Sequence, residues 1–400
     1  MKKLIPILII MLLLCGCSSV LNGSQEYLSP HSTTAESETE PVYIDVASYY
    51  ELRQAMLSLV AGHETEGIIR FTSYNGNIEE DLNNACIFIT NDTAIGSYSV
   101  SYVGSSLNRI VSYYEANISI IYKKDVSETS SIIEINTTDD LKNVMRDMMS
   151  RCTESVAVQT GSYAINQDSF YSVMNELYYG DPQLIIALPE MEIAEYADTD
   201  GSSRIYDISM TYADIPSVML GKKNAFGTIL EQLSFQLHDT DDKAQLLYQL
   251  CEYLSDSAEV SGTVPDEEYD QFDTVNTAYG ALYERRASGE GFAMAMKLLC
   301  DWQDIECIVV TGRYNNYIHA WNMIKVDDEW YHFDVSRLDV GASAALMLTD
   351  GQMESRYSWD ANNYPVCSGS LNYYYLTNAG SSESPDETSE GQGDGDQANE

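Results

Sequence analysis

Basic residues are scarce in this chain of 400 residues, which has 21 Lys and Arg against 62 Asp and Glu and a net charge of −41. A surface that binds nucleic acid or an anionic membrane needs clustered positive charge, so the composition argues against both partners. None of the 8 cysteines forms a Cys-x-x-Cys pair, so no zinc ribbon is expected. Hydrophobic residues make up 44% of the chain, which excludes a wholly disordered protein.

The N-terminus lacks a run long enough to span a bilayer, because the apolar segment Leu4–Leu14 is too short. It follows Lys2 and Lys3 and ends in Leu-Cys-Gly-Cys17, which resembles the bacterial lipobox. This resemblance implies that residues 1–16 are a signal peptide and that Cys17 is lipidated. We expect a protein anchored to the extracytoplasmic face of a bacterial membrane. The alternative is a plain secretory signal with an incidental cysteine.

Both ends of the remaining chain are polar and acidic. Residues 17–41 are rich in Ser, Thr and Glu, and residues 379–400 consist largely of Gly, Ser, Asp and Glu. Segments of this kind cannot bury enough apolar surface to fold. We therefore predict a disordered stalk and a disordered acidic tail.

The first half of the chain contains two similar segments. Ser48 and Thr137 each precede a helical pattern, and the strand-like segments Asn117–Tyr122 and Asp207–Tyr212 match in the same way. The simplest interpretation is a duplicated α+β unit, with copies at residues 42–128 and 131–213, and the alternative is coincidental similarity. No His, charged pair or nucleophile recurs between the copies. A scaffold role fits them better than catalysis.

Two strand patterns in the second half flank a two-residue turn. The segments Tyr317–Val326 and Trp330–Ser336 lie on either side of Asp327-Asp328, which predicts a β-hairpin. In the register that this turn sets, His319 lies opposite Ser336. Asp334 is then its diagonal neighbour on the same face, within side-chain reach. A carboxylate in that place can fix the tautomer of the imidazole.

Four ordered motifs resemble the bacterial transglutaminase-like superfamily. They are Thr277-Ala-Tyr-Gly-Ala-Leu282, Glu290-Gly-Phe-Ala293, His319-Ala-Trp-Asn322 and Trp330-Tyr-His-Phe-Asp-Val335. The resemblance covers about residues 222–378. It implies a papain-like α+β domain in which a helix packs on an antiparallel sheet. The whole chain is then an α+β protein whose duplicated N-terminal unit precedes a transglutaminase-like domain.

The chain departs from this family at the nucleophile. The family places a catalytic Cys just before Glu-Gly-aromatic-Ala, and this sequence has Gly289 there. The family's His and Asp match His319 and Asp334. Trp321 and Asn322, next to His319 in its motif, are candidates for ligand binding. No cofactor or metal is expected.

Several other residues could in principle replace the missing thiolate. Ser288 and Glu290 flank the vacant position, but a Ser needs a well-placed base, and a helix start favours the ionised form of Glu290, which makes it a poor base. Cys300 is too far along the predicted helix, and Cys307 has no supporting pattern. A metal site that joins His332 to His319 and Asp334 is a further, weaker alternative.

Three functions of different class follow from these patterns. The first is a pseudoenzyme whose transglutaminase-like domain binds a peptide, a protein or cell-wall material without covalent catalysis. The second is an active protease-like or transglutaminase-like enzyme with an unconventional nucleophile. The third is a purely structural surface domain. The sequence favours the first, because nucleophilic catalysis in this family depends on the Cys that is missing.

The lipidation motif gives a direct test. We expect Cys17→Ala to abolish labelling by a fatty-acid analogue and to leave the protein unprocessed or released, because that thiol is the acylated group. The measurement is metabolic acyl labelling of the wild type and the variant, with Cys15→Ala as the control that keeps its label. Continued labelling of Cys17→Ala would contradict the assignment.

Overall fold

The computed structural model describes residues 43–234, 242–261 and 272–378. The predicted signal peptide, Cys17, the stalk and the acidic tail all lie outside these ranges, so they stay predictions. Among the described residues, no helix has both the length and the apolar character needed to cross a membrane.

Helices and strands alternate in the first half and give way to an antiparallel sheet in the second, so the fold is α+β as expected. The strands are β1 (Tyr43–Val46), β2 (Glu66–Phe71), β3 (Val100–Ile110), β4 (Tyr113–Tyr122), β5 (Ile133–Glu134), β6 (Ser155–Thr160), β7 (Glu190–Ala197), β8 (Arg204–Thr211), β9 (Glu259–Val260), β10 (Arg286–Ala287), β11 (Cys307–Tyr314), β12 (Tyr317–Val326), β13 (Glu329–Phe333) and β14 (Tyr357–Ser358). The helices are α1 (Tyr49–Ala61), α2 (Ile78–Asp92), α3 (Ala94–Ser99), α4 (Val126–Ser130), α5 (Thr138–Arg151), α6 (Gln167–Gly180), α7 (Pro216–Ser234), α8 (Lys243–Ser257), α9 (Gly289–Trp302), α10 (Asp350–Met353) and α11 (Tyr373–Asn378).

The first two sheets have the same topology. The strand orders are β1-β2-β4-β3 and β5-β6-β8-β7, and in each sheet the first pair is parallel and the other two are antiparallel. In each, a helix connects the parallel pair and starts at a predicted cap. The Ser48 side chain accepts the Glu51 N–H, and the Thr137 side chain accepts the Asp140 N–H. The shared topology agrees with a duplication, which itself stays a prediction.

The third sheet has the order β13-β12-β11-β14 and is antiparallel throughout. Helix α9 lies against β11 and β12 and is almost wholly buried from Gly291 to Cys300. This is the expected arrangement of a helix packed on an antiparallel sheet. It brings the start of α9 to the hairpin of β12 and β13.

One continuous core connects the second α+β unit to this third sheet. Buried side chains from α5 and α6 belong to the same cluster as those of α8 and α9, among them Met145, Phe170, Leu254 and Phe292. Hydrogen bonds cross the same boundary: the Tyr178 hydroxyl donates to the Asn276 carbonyl at 3.1 Å. The second unit is therefore a support for the region that holds the candidate site.

Phe170 and Tyr171 offer a matched test of this core. Phe170 is fully buried, whereas its neighbour Tyr171 is 56% exposed. We expect Phe170→Ala to lower the free energy of unfolding by about 3–5 kcal/mol, because it leaves a cavity in the shared core. Tyr171→Ala should change it by about 0.5 kcal/mol or less. Denaturant unfolding measures both, and equal effects would contradict the placement of α6.

Candidate functional site

The site begins where α9 starts. Ser288 caps the helix: its hydroxyl oxygen accepts the Gly291 N–H at 3.3 Å, and its proton is donated to Asn276 Oδ1 at 2.5 Å. Gly289 is the first residue of the helix, as the sequence predicts. Because the Ser288 hydroxyl is used by the cap and by Asn276, it is not free to act as a nucleophile.

The hairpin of β12 and β13 has the predicted register. Val326 pairs with Glu329, and Asn322 pairs with Phe333. The predicted pairing of His319 with Ser336 is wrong, because β13 ends at Phe333 and the chain turns into a short 3₁₀ helix. His319 and Asp334 still meet: His319 Nε2 donates to Asp334 Oδ2 over 2.7 Å. The imidazole and the carboxylate that the sequence pairs therefore lie together.

Asp334 is held by two further donors that the sequence did not indicate. The Tyr357 hydroxyl donates to Asp334 Oδ2 at 2.8 Å, and the Ser336 hydroxyl donates to Oδ1 at 2.6 Å. Burial and the adjacent Asp334 charge raise the pKa of Tyr357, so its phenol keeps the proton that it donates. With 2% exposure and three donors, the carboxylate is fixed, and it fixes His319 in turn.

Gly289 lies directly under the imidazole. A Cβ built on Gly289 would be 2.2 Å from His319 Cε1 and 2.3 Å from Nδ1. Real Cβ atoms do not approach a ring atom this closely, so any side chain here would require His319 to move. The space that a nucleophilic side chain would occupy is filled by the imidazole itself.

The two nearby cysteines do not supply a nucleophile. Cys300 is fully buried, and burial raises the pKa of its thiol well above the ordinary value. Cys307 is also buried and lies 3.4 Å from the amide nitrogen of Asn322. Both belong to the hydrophobic core, as the sequence indicates for Cys300.

Glu290 lies at the helix start, where the dipole favours its ionised form, and burial acts in the opposite direction. Burial raises the pKa of its carboxyl group, and hydrogen bonds from Tyr179 and Tyr178 oppose this rise. The Tyr179 hydroxyl donates to Glu290 Oε1 at 2.8 Å. Desolvation is the larger of these effects. Glu290 links α6 to the start of α9.

Trp321 and Asn322, the predicted ligand-binding residues, are buried. Both side chains are 1% exposed. The Asn322 amide donates to the Ala293 carbonyl at 2.9 Å, which ties β12 to α9. The Trp321 indole N–H donates to His332 Nδ1 at 2.9 Å. Both side chains therefore make supporting contacts in the core, and their predicted binding role stays a prediction.

His332 belongs to a separate cluster with Asp350 and Cys367, whose possible ligand atoms lie within 4.8 Å of one another. The weaker alternative of a metal site shared with His319 is not formed, because Trp321 lies between the two imidazoles. The indole N–H can only donate, so Nδ1 of His332 must be its acceptor and Nε2 must carry the proton. That proton is donated to Asp350 Oδ1 at 2.9 Å. A ring protonated at Nε2 has no lone pair there for a metal.

Comparisons with known proteins agree with part of the sequence analysis. A family model described as the transglutaminase-like superfamily matches residues 231–335. This stretch is a transglutaminase-like domain. The matched range includes Gly289, His319 and Asp334. No match is found among curated proteins.

Two solved structures are similar to the chain at low levels. A candidate cysteine protease from Cytophaga hutchinsonii is 16% identical, with a TM-score of 0.23, and the alignment covers 44% of this chain and 70% of that one. A structure described as that of a TGase is 11% identical, with a TM-score of 0.27, and the alignment covers 56% of this chain and 62% of that one.

The buried imidazole of His332 predicts a pH-dependent stability. Burial lowers the pKa of His332, so the folded state takes up a proton at lower pH than the unfolded state, whose value is about 6.5. Between these two values the unfolded state binds more protons. The contribution of the buried, neutral His332 to the free energy of unfolding is therefore fully present above about pH 6.5. It is lost as the pH falls below that value.

The measurement is denaturant unfolding between about pH 5 and pH 8, the range around the ordinary imidazole value. We expect the wild type to lose stability below about pH 6.5 more steeply than His332→Gln, which has no titrating group at this position. Parallel curves for the two proteins would show that His332 titrates as an exposed imidazole does.

Proposed function

We propose that this protein is a non-catalytic member of the transglutaminase-like group that binds a peptide or cell-wall ligand. The observation that carries the proposal is that a Cβ at position 289 would lie only 2.2 Å from His319 Cε1. Nucleophilic catalysis on an amide needs an attacking atom next to the base, and the imidazole occupies the place of that atom. A His–Asp pair alone supplies a base with nothing to activate.

The groups around His319 favour a role in binding. His319 is partly exposed, and the ring of Tyr314 lies 5.8 Å from it. The guanidinium of Arg337 lies 4.8 Å from the centre of the Tyr314 ring. A phenol and a guanidinium can donate hydrogen bonds to the carbonyl and carboxylate groups of a peptide, and His319 Nδ1, whose Nε2 donates to Asp334, can accept a peptide N–H. This set supports peptide or cell-wall stem material as the ligand class.

The place of action follows from the N-terminal sequence. The lipobox-like segment before Cys17 supports a lipid anchor on the extracytoplasmic face of a bacterial membrane. A protein anchored there meets cell-wall peptides and surface proteins. The strong negative charge of the chain agrees with partners other than nucleic acid.

Restoring a thiol at the vacant position tests the proposal. We expect the wild type to show no thiol-dependent amidase or transamidase activity. We expect Gly289→Cys to react with iodoacetamide at about pH 6, since thiols at helix starts beside an imidazole have pKa values of about 3.5–7.5. The imidazole must retreat to admit the Cβ, so this variant should also unfold at a lower temperature than the wild type.

The control is Gly289→Cys combined with His319→Ala, measured as alkylation rate against pH. Removing the imidazole should relieve the clash and return the thiol toward its ordinary value of about 8.5. If the thiol titrates near that value in both variants, His319 does not face position 289. Peptide cleavage by the wild type would overturn the non-catalytic assignment.

A further inference from the structure

Tyr314, Tyr317 and His319 share one face of the third sheet. In the antiparallel pair of β11 and β12, Tyr314 lies opposite Tyr317, and Gly312 lies opposite His319. Because successive side chains of a strand point to opposite faces, the three rings project from the side on which His319 meets Asp334. Tyr317 is 68% exposed, so this face is open to a ligand next to the imidazole.

Arg337 is held at the same side of the sheet. Its backbone N–H donates to the Asp334 carbonyl at 3.0 Å, and its guanidinium lies 4.8 Å from the centre of the Tyr314 ring. Its charge also acts on the Tyr357 phenol, where it opposes the rise in pKa that burial causes. The rings of Tyr314 and Tyr357 both lie within about 6 Å of the His319 ring, so the guanidinium belongs to the surroundings of the imidazole.

The Arg337 guanidinium has no acceptor among the described residues. No carboxylate of the described ranges forms an ion pair with it, and no oxygen there accepts a hydrogen bond from it. Asp334, the carboxylate of the site, is 2% exposed and already accepts hydrogen bonds from three donors. Other arginines of the chain do pair with a carboxylate: Arg70, Arg146, Arg151, Arg204 and Arg286.

We propose that Arg337 binds a free carboxylate of the ligand, so that the site selects a carboxylate-bearing peptide over a neutral one. The inference rests on the proposed binding function and names the ligand group that the site recognises. A guanidinium pairs with a carboxylate through two parallel N–H···O bonds. His319 Nδ1 can accept a neighbouring peptide N–H, since Nε2 donates to Asp334. The exposed Tyr317 ring offers an apolar contact beside them.

The carboxylate can come from two sources, the free C-terminus of a peptide or an Asp or Glu side chain. The chain has 62 acidic and 21 basic residues and a net charge of −41, so it repels a ligand with several acidic groups. A ligand with a single carboxylate avoids most of this repulsion. We therefore expect recognition of one carboxylate rather than of an acidic run.

Three acetylated tripeptides test the proposal and distinguish the two sources. They are Ac-Ala-Ala-Ala-OH, its C-terminal amide, and Ac-Ala-Asp-Ala-NH₂. Their affinities for the full chain are measured by NMR titration in about 0.15 M salt. We expect a carboxylate peptide to bind about tenfold more tightly than the amide, because hydrogen bonds to a charged group are the strong ones. Whichever of the two binds more tightly identifies the source.

Two results would overturn the carboxylate site. One is an advantage of less than about threefold over the amide for both carboxylate peptides. The other is an affinity of both no tighter than about 10 mM. Because this comparison uses several peptides on one protein, it does not depend on how any variant folds.

Variants of Arg337 show whether its guanidinium is the recognising group. Arg337→Gln should weaken the carboxylate peptide about tenfold and leave the amide peptide within about twofold. Arg337→Lys keeps the charge without the planar fork and should fall between. The matched control is Arg313→Gln, which removes the same charge from the opposite face of β11, where the Arg313 guanidinium donates to the Asn316 carbonyl at 2.8 Å. Equal losses in the two Gln variants would overturn the proposal, because overall charge would then explain them.

The same titrations separate this inference from the proposed function. If the carboxylate and amide peptides bind equally tightly, the carboxylate site is wrong and the proposed binding function stands. If the peptide spectra show that the wild type cleaves the peptides, the non-catalytic function is wrong. The comparison of carboxylate and amide peptides in the wild type and Arg337→Gln then still decides the carboxylate site.

Discussion

The hydrogen bond between His319 and Asp334 determines the geometry of the whole candidate site. Asp334 is buried and also accepts hydrogen bonds from the Tyr357 and Ser336 hydroxyls, so its position is fixed from three sides. The imidazole is therefore held in one orientation, directly over Gly289. A side chain at position 289 would clash with His319 in its present position. The absence of a side chain at position 289 and the position of the His319 imidazole are therefore linked.

Buried polar contacts behind this pair keep the hairpin in place. Trp321 donates to His332, and His332 donates to Asp350, whose other oxygen accepts the Cys367 N–H at 3.1 Å. Each donor in this series has an acceptor, so burial of these groups costs little. The Tyr179–Glu290 contact connects the same region to the second α+β unit. The site thus depends on segments that are far apart in sequence.

The sequence predicted the local parts of the site and missed the distant ones. The hairpin register followed from the Asp327-Asp328 turn, because a two-residue turn pairs Val326 with Glu329 and so fixes every later pair. In that register His319 and Asp334 lie on one face. The start of α9 at Gly289 followed from the helical pattern and the family motif, whereas the Ser288 cap was not predicted. The contact of Tyr357 with Asp334 and the burial of Glu290 could not be predicted, since both depend on residues brought together only by the fold. The burial of Trp321 and Asn322 was also missed, because adjacency to His319 does not reveal which side chains the core covers.

The most direct measurement of the central claim is intact mass spectrometry of the wild-type protein after incubation with electrophilic peptides. The set should include a vinyl sulfone for thiols and a fluorophosphonate for hydroxyls, at pH values between about 6 and 8, where an imidazole base is active. The account predicts an unchanged mass, because no nucleophile lies beside His319. A covalent adduct that His319→Ala abolishes would contradict it, since a side chain activated by His319 would then exist in the wild-type site.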